Sequence, residues 1–246
     1  MQIIQGIDLV ASGWLGCSLT DSHDCHVYLL SGPAGAVMID AGCGLGTNAT
    51  LHNIMHAGVD PLSVTHILLT HAHADHAAGA AALSARLGAE VWASPETAAI
   101  LSSADEETAG LRAARHAGVY PQTVRLKPTS IANELGEETI EISGFRIDVI
   151  PTPGHATGHL CFAIDTTGGR VLFAGDLVFS RGRVAVLDTP DTDVVAMHRS
   201  LSSVLSTEPD LLLAGHGSLV LDHAVDHISE AVRAFERGVP PVGLVP

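Results

Sequence analysis

Positive charge is what this sequence has least of. Twelve Lys and Arg stand against 27 Asp and Glu, a net charge of −15, and Lys127 is the single lysine in 246 residues. A nucleic-acid-binding surface needs a basic face to neutralise phosphates, and Arg181-Gly182-Arg183 is too small to supply one. No nucleic acid is expected as a partner. Long apolar runs are also missing: nothing approaches the ~18 consecutive apolar residues of a membrane span. The opening MQIIQGIDLV lacks the basic start and extended apolar run of a secretion signal, so no membrane partner is expected either. Cysteine is sparse. Cys17, Cys25, Cys43 and Cys161 show neither metal-knuckle spacing nor disulfide density. The combination points to a cytoplasmic chain with reduced thiols, and Cys161, within HLCFAID, reads as a small buried apolar residue.

What is present is apolar. Hydrophobic residues make up 46% and charged residues 16%, enough for a large core and too little charge for disorder. The length suits one α/β domain spanning 1–246. Apolar runs bounded by Gly and Pro predict strands at CHVYLL, AVMIDAG, HILLT, EVWAS, ETIEI, FRIDVI, LCFAID, RVLFAGD and DLLLAGHG. Helices are predicted over TNATLHNIMHAG, AAGAAALSARLG, DVVAMHRSLSSVLST, capped by Asp191 or Thr192, and LDHAVDHISEAVRAFERG. Residues 95–135 are helical, then irregular and proline-marked, and read as an insertion over the core.

Several strands run straight into polar clusters, and loops at strand ends are where α/β folds gather chemistry. HILLT leads to THAHADHAAG, with His71, His73, Asp75 and His76 on one short loop. In an extended loop His71 and His73 point the same way and grip one ion, while Asp75 and His76, at the next helix start, point toward a second. Two such ions would sit about 3.5–4 Å apart. One loop cannot complete two coordination shells, since zinc takes about four ligands. The remaining candidates stand at other strand ends, each after a glycine: His155 in TPGHATGH, Asp176 in FAGD and His216 in AGHG. The assignment is His71, His73 and His155 to one metal and Asp75, His76 and His216 to the other, with Asp176 bridging.

The segments THAHADH, PTPGHATGH, FAGD and GHG, with the earlier MIDAG, resemble the five motifs of the metallo-β-lactamase superfamily over roughly residues 27–217. The resemblance implies an αββα four-layer sandwich with the metal site at the edge of two sheets, built from similar halves at about 1–95 and 135–220. It also implies that Asp40 orients the metal loop. All seven ligands occur in the glyoxalase II and lactonase branches. Classical glyoxalase II adds a helical region that binds glutathione through basic residues, whereas here 30 residues follow His216 and carry only Arg233 and Arg237. Quorum-quenching lactonases place a tyrosine shortly after the bridging aspartate, where this chain has Phe179.

The expected activity is a metallo-hydrolase: two zinc ions, or iron or manganese, activate a bridging hydroxide that attacks the carbonyl of a small ester, thioester or lactone. Asp75 orients that hydroxide and Asp176 bridges. One rival is a mononuclear iron persulfide dioxygenase of the same superfamily; another is a non-catalytic metal-bearing scaffold. Among the other histidines, His159 reads as a structural neighbour of the site, and His223 and His227 as a solvated helix face. His23, His26 and Tyr120 are possible cleft residues, and Arg181 or Arg183 possible anion contacts. Substrate identity and oligomeric state are not encoded legibly.

Overall fold

The predicted strands and helices recur, with shifts of a few residues, in a computed structural model of the chain that describes residues 1–187, 189, 191–239 and 241–244. The last two positions of the 1–246 range lie outside it. The described residues form two compact units, Met1–Leu135 with Glu141–Phe145, and Gly136–Ile140 with Arg146 onward.

The first unit is built on a seven-stranded sheet in sequential order. Its strands are β1 (Gln2–Ile4), β2 (Ile7–Ala11), β3 (Val27–Gly32), β4 (Gly35–Ile39), β5 (Val64–Leu68), β6 (Glu90–Ala93) and β7 (Ile131–Glu134). β1 to β4 pair antiparallel; β4 to β7 pair parallel. Parallel neighbours need crossovers long enough to hold a helix. These are α1 (Thr47–His56), the pair α2 (Ala74–Ala77) and α3 (Ala80–Leu87), and the pair α4 (Pro95–Ser103) and α5 (Leu111–His116). α4 starts where its chemistry dictates: Ser94 accepts from the Thr97 N–H and Pro95 occupies the first turn. Residues 95–135 contribute Leu101, Leu111, Val124 and Leu126 to the unit's core. Their last part, read from sequence as irregular, becomes β7, because the edge of β6 offers a backbone ladder that a local reading does not see. β1 and β2 were likewise not anticipated, although β2 is buried throughout.

The second unit carries a five-stranded sheet in the order β12-β11-β10-β9-β8. Its strands are β8 (Glu138–Ile142), β9 (Phe145–Pro151), β10 (Leu160–Thr166), β11 (Gly169–Gly175) and β12 (Leu211–Ala214). The tip of the β8–β9 hairpin belongs to the first unit, and its turn residues Ser143 and Gly144 both have positive φ, 50° and 82°, as a tight hairpin requires. β9 is antiparallel to β10, β10 to β11, and β11 is parallel to β12. Hence β9, β11 and β12 run in one direction. α6 (Val194–Leu205) is the crossover, and α7 (Ala224–Glu236) follows β12. The cap of α6 is Asp193, whose side chain accepts from the Val195 and Ala196 N–H groups, not Asp191 or Thr192. The core lies under both helices, around Leu172, Met197, Leu201, Leu212 and Ile228. Among the described residues, no helix is long and apolar enough to cross a membrane.

Candidate metal centre

In the first unit the ligand loop hangs from the carboxyl ends of two parallel neighbours. β4 ends at Ile39 and delivers Asp40; β5 ends at Leu68 and delivers Thr70 to His76. Asp40 adopts φ +65°, a left-handed conformation that aspartate tolerates better than most residues. From there its buried carboxylate accepts the Thr70 N–H at 2.8 Å, the Thr70 hydroxyl at 2.9–3.0 Å and the His76 Nδ1–H at 2.8 Å. The Thr70 hydroxyl has one proton, and it is given to Asp40. Thr70 Oγ1 therefore accepts from His71 Nδ1, 3.0 Å away. Both His71 and His76 are held as Nδ1–H tautomers, which leaves Nε2 of each as the lone-pair nitrogen a metal needs.

His73 is extended, φ −62° and ψ 148°, and caps α2. Its carbonyl accepts from the His76 and Ala77 N–H groups, so the chain turns sharply after it. The rings of His71 and His73 lie 4.6 Å apart, as expected of i, i+2 neighbours. The ring of His76 lies 4.2 Å from that of His71, because one turn of α2 carries position 76 back beside position 71. His76 Nε2 stands 3.8 Å from Asp75 Oδ2. Cys25 Sγ also converges with Asp40 and His76. There Asp40 is committed to His76, the Cys25 thiol donates to His26 O at 3.4 Å, and burial pushes its pKa well above the ordinary value. That cluster is hydrogen-bonded structure.

In the second unit, three strand ends that share a direction deliver His155 after β9, Asp176 after β11 and His216 after β12. Asp176 Oδ2 lies 3.7 Å from His155 Nε2 and 3.5 Å from His216 Nε2. Those separations are long for direct hydrogen bonds. They resemble the roughly 3.3–3.6 Å between ligands about 2.0–2.2 Å from one tetrahedral ion. His155 Nδ1–H donates to Ala185 O at 2.9 Å, fixing its Nε2 as the lone-pair nitrogen. Gly154 (φ +139°) lets the loop press against α6, where a Cβ would stand 2.3 Å from Met197 N. Thr192 Oγ1 donates to His155 O and Asp193 N–H to Gly154 O. All three ligand-type side chains are buried. In each unit, then, the donor set, nitrogen lone pairs beside carboxylate oxygens, with Nδ1 of His71, His76 and His155 tied down, fits a divalent metal.

The remaining expectations sort by contact. His159 accepts the Asp176 N–H at Nε2, 3.2 Å away, as a neighbour of the site. His223 is exposed at the start of α7, whereas His227 Nδ1 accepts the Arg181 N–H at 2.6 Å; the two do not act as a pair. His26 is buried, and His23 bonds Asp21 at 2.9 Å with its ring 6.0 Å from Tyr120. Phe179 is buried, its ring 6.3 Å from that of His216. Thr70 and Ala185 are the participants that sequence reasoning missed. Thr70 had a signal, lying beside the first histidine; a backbone carbonyl such as that of Ala185 has none. A surface cleft of about 350 Å³ lined by Ser31, Gly32, Ala57, Asp60 and Ser63 contains none of the predicted ligands.

Comparison with known proteins follows the same line. Residues 21–216 match the family model described as Metallo-beta-lactamase superfamily. The hydroxyacylglutathione hydrolase GloC of Haemophilus influenzae is 31% identical over 159 residues, 64% of this chain and 70% of that protein. The hydroxyacylglutathione hydrolase of Acidiphilium cryptum is 32% identical over 152 residues, 61% of this chain and 49% of that protein, so the chain spans about half that relative's length. Among solved structures, a metallo-beta-lactamase of Cronobacter sakazakii superposes with a TM-score of 0.74 at 21% identity, covering 97% of this chain and 96% of that one; at such identity the likeness carries the fold.

Proposed function

The chain belongs to the metallo-beta-lactamase superfamily and has its α/β fold with two sheets, and from that premise we propose that it is a metal-dependent hydrolase of small esters, thioesters or lactones. His71, His73 and His155 would hold one divalent ion and Asp75, His76 and His216 the other, with Asp176 between them. The observation that carries this reading is the tautomer pattern: His71, His76 and His155 all have Nδ1 engaged as a donor, the arrangement that metal-ligating histidines adopt. The names of the Haemophilus and Acidiphilium relatives support a thioester as the first substrate to test.

Two zinc ions are the proposed complement. When bound, such a pair supplies Lewis acidity and a water acidified to near-neutral pKa. The protein's own residues do the rest. Asp40 and Thr70 hold His71 and His76 in orientation, and Ala185 O does the same for His155. Asp75, the only partly buried carboxylate of the loop, is assigned to orient the attacking water and take up its proton; Asp176 is assigned to keep the two ions together. The net charge of −15 supports a small-molecule substrate over nucleic acid, and four free cysteines support a reducing, cytoplasmic compartment.

Metal analysis of the purified protein with a screen of esters, thioesters and lactones tests this. About two zinc per chain and turnover of a carbonyl substrate are expected, with Asp176→Ala losing one metal and most of the activity. One iron per chain with oxygen uptake on a persulfide would replace the hydrolase by a dioxygenase. Loaded metal with no turnover on any substrate would leave a scaffold.

A further inference from the structure

The second unit holds a buried histidine that the chemistry above does not use. His159 stands between two groups whose roles allow one answer. The Asp176 backbone N–H only donates, so the His159 Nε2 3.2 Å away must accept. The ring proton is therefore on Nδ1, and it goes to Thr152 Oγ1 at 2.8 Å. The single hydroxyl proton of Thr152 is then directed to Cys161 Sγ at 3.3 Å, and the thiol proton to Ala174 O at 3.6 Å. Burial pushes the Cys161 pKa up to about 12, so the thiol keeps that proton at neutral pH. Backbone bonds close the loop: Thr152 N–H donates to His159 O at 2.8 Å, and His159 N–H to Ala156 O. Thr152, His159, Cys161, Ala174 and Asp176 are all buried. A one-way chain of hydrogen bonds thus starts from the Asp176 backbone N–H and ends on the Ala174 carbonyl.

The starting point matters because of where Asp176 lies. β11 ends at Gly175, which adopts φ +47° and has the widest conformational freedom of any residue type. Past Gly175 the strand ladder ends, and a turn closed by the Leu177 N–H donating to Ala174 O carries Asp176. We propose that His159, locked as the Nδ1–H tautomer by Thr152 and Cys161, is a positioning residue that sets Asp176 against His155 and His216. It is not a metal ligand: Nε2 serves the Asp176 N–H and Nδ1 serves Thr152. The inference rests on the proposed role of Asp176 as a metal ligand. It reassigns Cys161 from apolar filler to the acceptor that orients the Thr152 hydroxyl.

The test compares His159→Phe, which keeps volume but neither hydrogen bond, with His159→Gln, whose Oε1 reaches the place of Nε2 and restores an acceptor for the Asp176 N–H. Zinc affinity is read by chelator competition. The expected result is a loss of about 10–100-fold for His159→Phe, the usual effect of removing a group that orients a ligand, with most of the loss recovered in His159→Gln. A long-range ¹H–¹⁵N spectrum of the unmodified protein should show a neutral His159 with its proton on Nδ1. Folded His159→Phe with undiminished affinity, or a proton found on Nε2, overturns the proposal. If His159→Phe does not fold, the Gln variant and the spectrum decide: an equally weakened Gln variant counts against it. If instead Asp176→Ala leaves zinc content unchanged, the binuclear reading fails and the positioning role with it, while the spectrum still reports whether the hydrogen-bond chain exists.

Discussion

At the scale of single residues, Asp40 is the group on which the ligand loop depends. It accepts from Thr70 twice over and from His76, and through Thr70 it also decides the tautomer of His71. Asp40→Asn keeps the size and tolerates φ +65°, so backbone strain does not confuse the result. It replaces one acceptor oxygen by a donor that must face either the His76 ring proton or the Thr70 hydroxyl. The expected cost is ~1–3 kcal/mol of stability, since a buried polar group loses its partner, with metal affinity lower by about 10–100-fold. Urea denaturation and chelator competition measure the two. A variant that matched the parent in both would show that the tautomers are set elsewhere. Asp40 and Thr70 were within reach of the sequence, one at a strand end and one beside His71. The bond between them was not, because 30 positions separate them.

At the scale of elements, α2 holds the loop by approaching the β4 exit closely. Ala41 N–H donates to His76 O and Gly79 N–H to Gly42 O. A Cβ at Gly79 would stand 2.1 Å from Ala41 O, too close for any atom, and that atom is backbone and cannot rotate away. Gly79 is ordinary in its dihedrals, φ −77°, so the requirement is purely one of space. Gly79→Ala should cost ~1–3 kcal/mol as an overpacking change and shift His76, lowering metal content. Gly136→Ala is the matched control, with nothing within 4 Å of its Cβ and an expected effect within about 0.5 kcal/mol. Equal denaturation midpoints for the two variants would contradict the close-approach argument. The elements themselves were mostly legible, because alternation in FRIDVI and ETIEI maps directly onto burial in β9 and β8. β7 was not, since Ile131–Glu134 is largely exposed and is a strand only because β6 lies beside it.

At the scale of the whole molecule, the acidic balance bears on stability at low pH. The Arg170 guanidinium and the Thr139 hydroxyl hold the Asp148 carboxyl below its usual range. A carboxyl depressed in the folded state contributes stability above its unfolded value and loses it as pH falls through the folded one. Arg170→Gln should therefore be less stable than the parent at neutral pH, and the gap should close below about pH 4. Both side chains are partly solvated, so the effect is small. Urea midpoints of the two proteins between neutral and acid pH check it, and a gap that stayed constant would remove Asp148 as its source.

The sequence by itself determined the residues proposed as ligands, their spacing on the loop from His71 to His76, the strand ends that carry His155, Asp176 and His216, and the apolar alternation that makes those strands. Each is a matter of near neighbours in the chain, where covalent geometry leaves few options. Tertiary structure alone decided which nitrogen of His76, His155 and His159 carries the proton. It brought Asp40 to His76 across 36 positions and Ala185 O to His155 across 30. It also made Cys161 the acceptor that orients the Thr152 hydroxyl. A hydrogen bond fixes a tautomer only when its partner arrives at about 3 Å, and for His76 and His155 that partner arrives from a distant part of the chain, which local pattern does not encode.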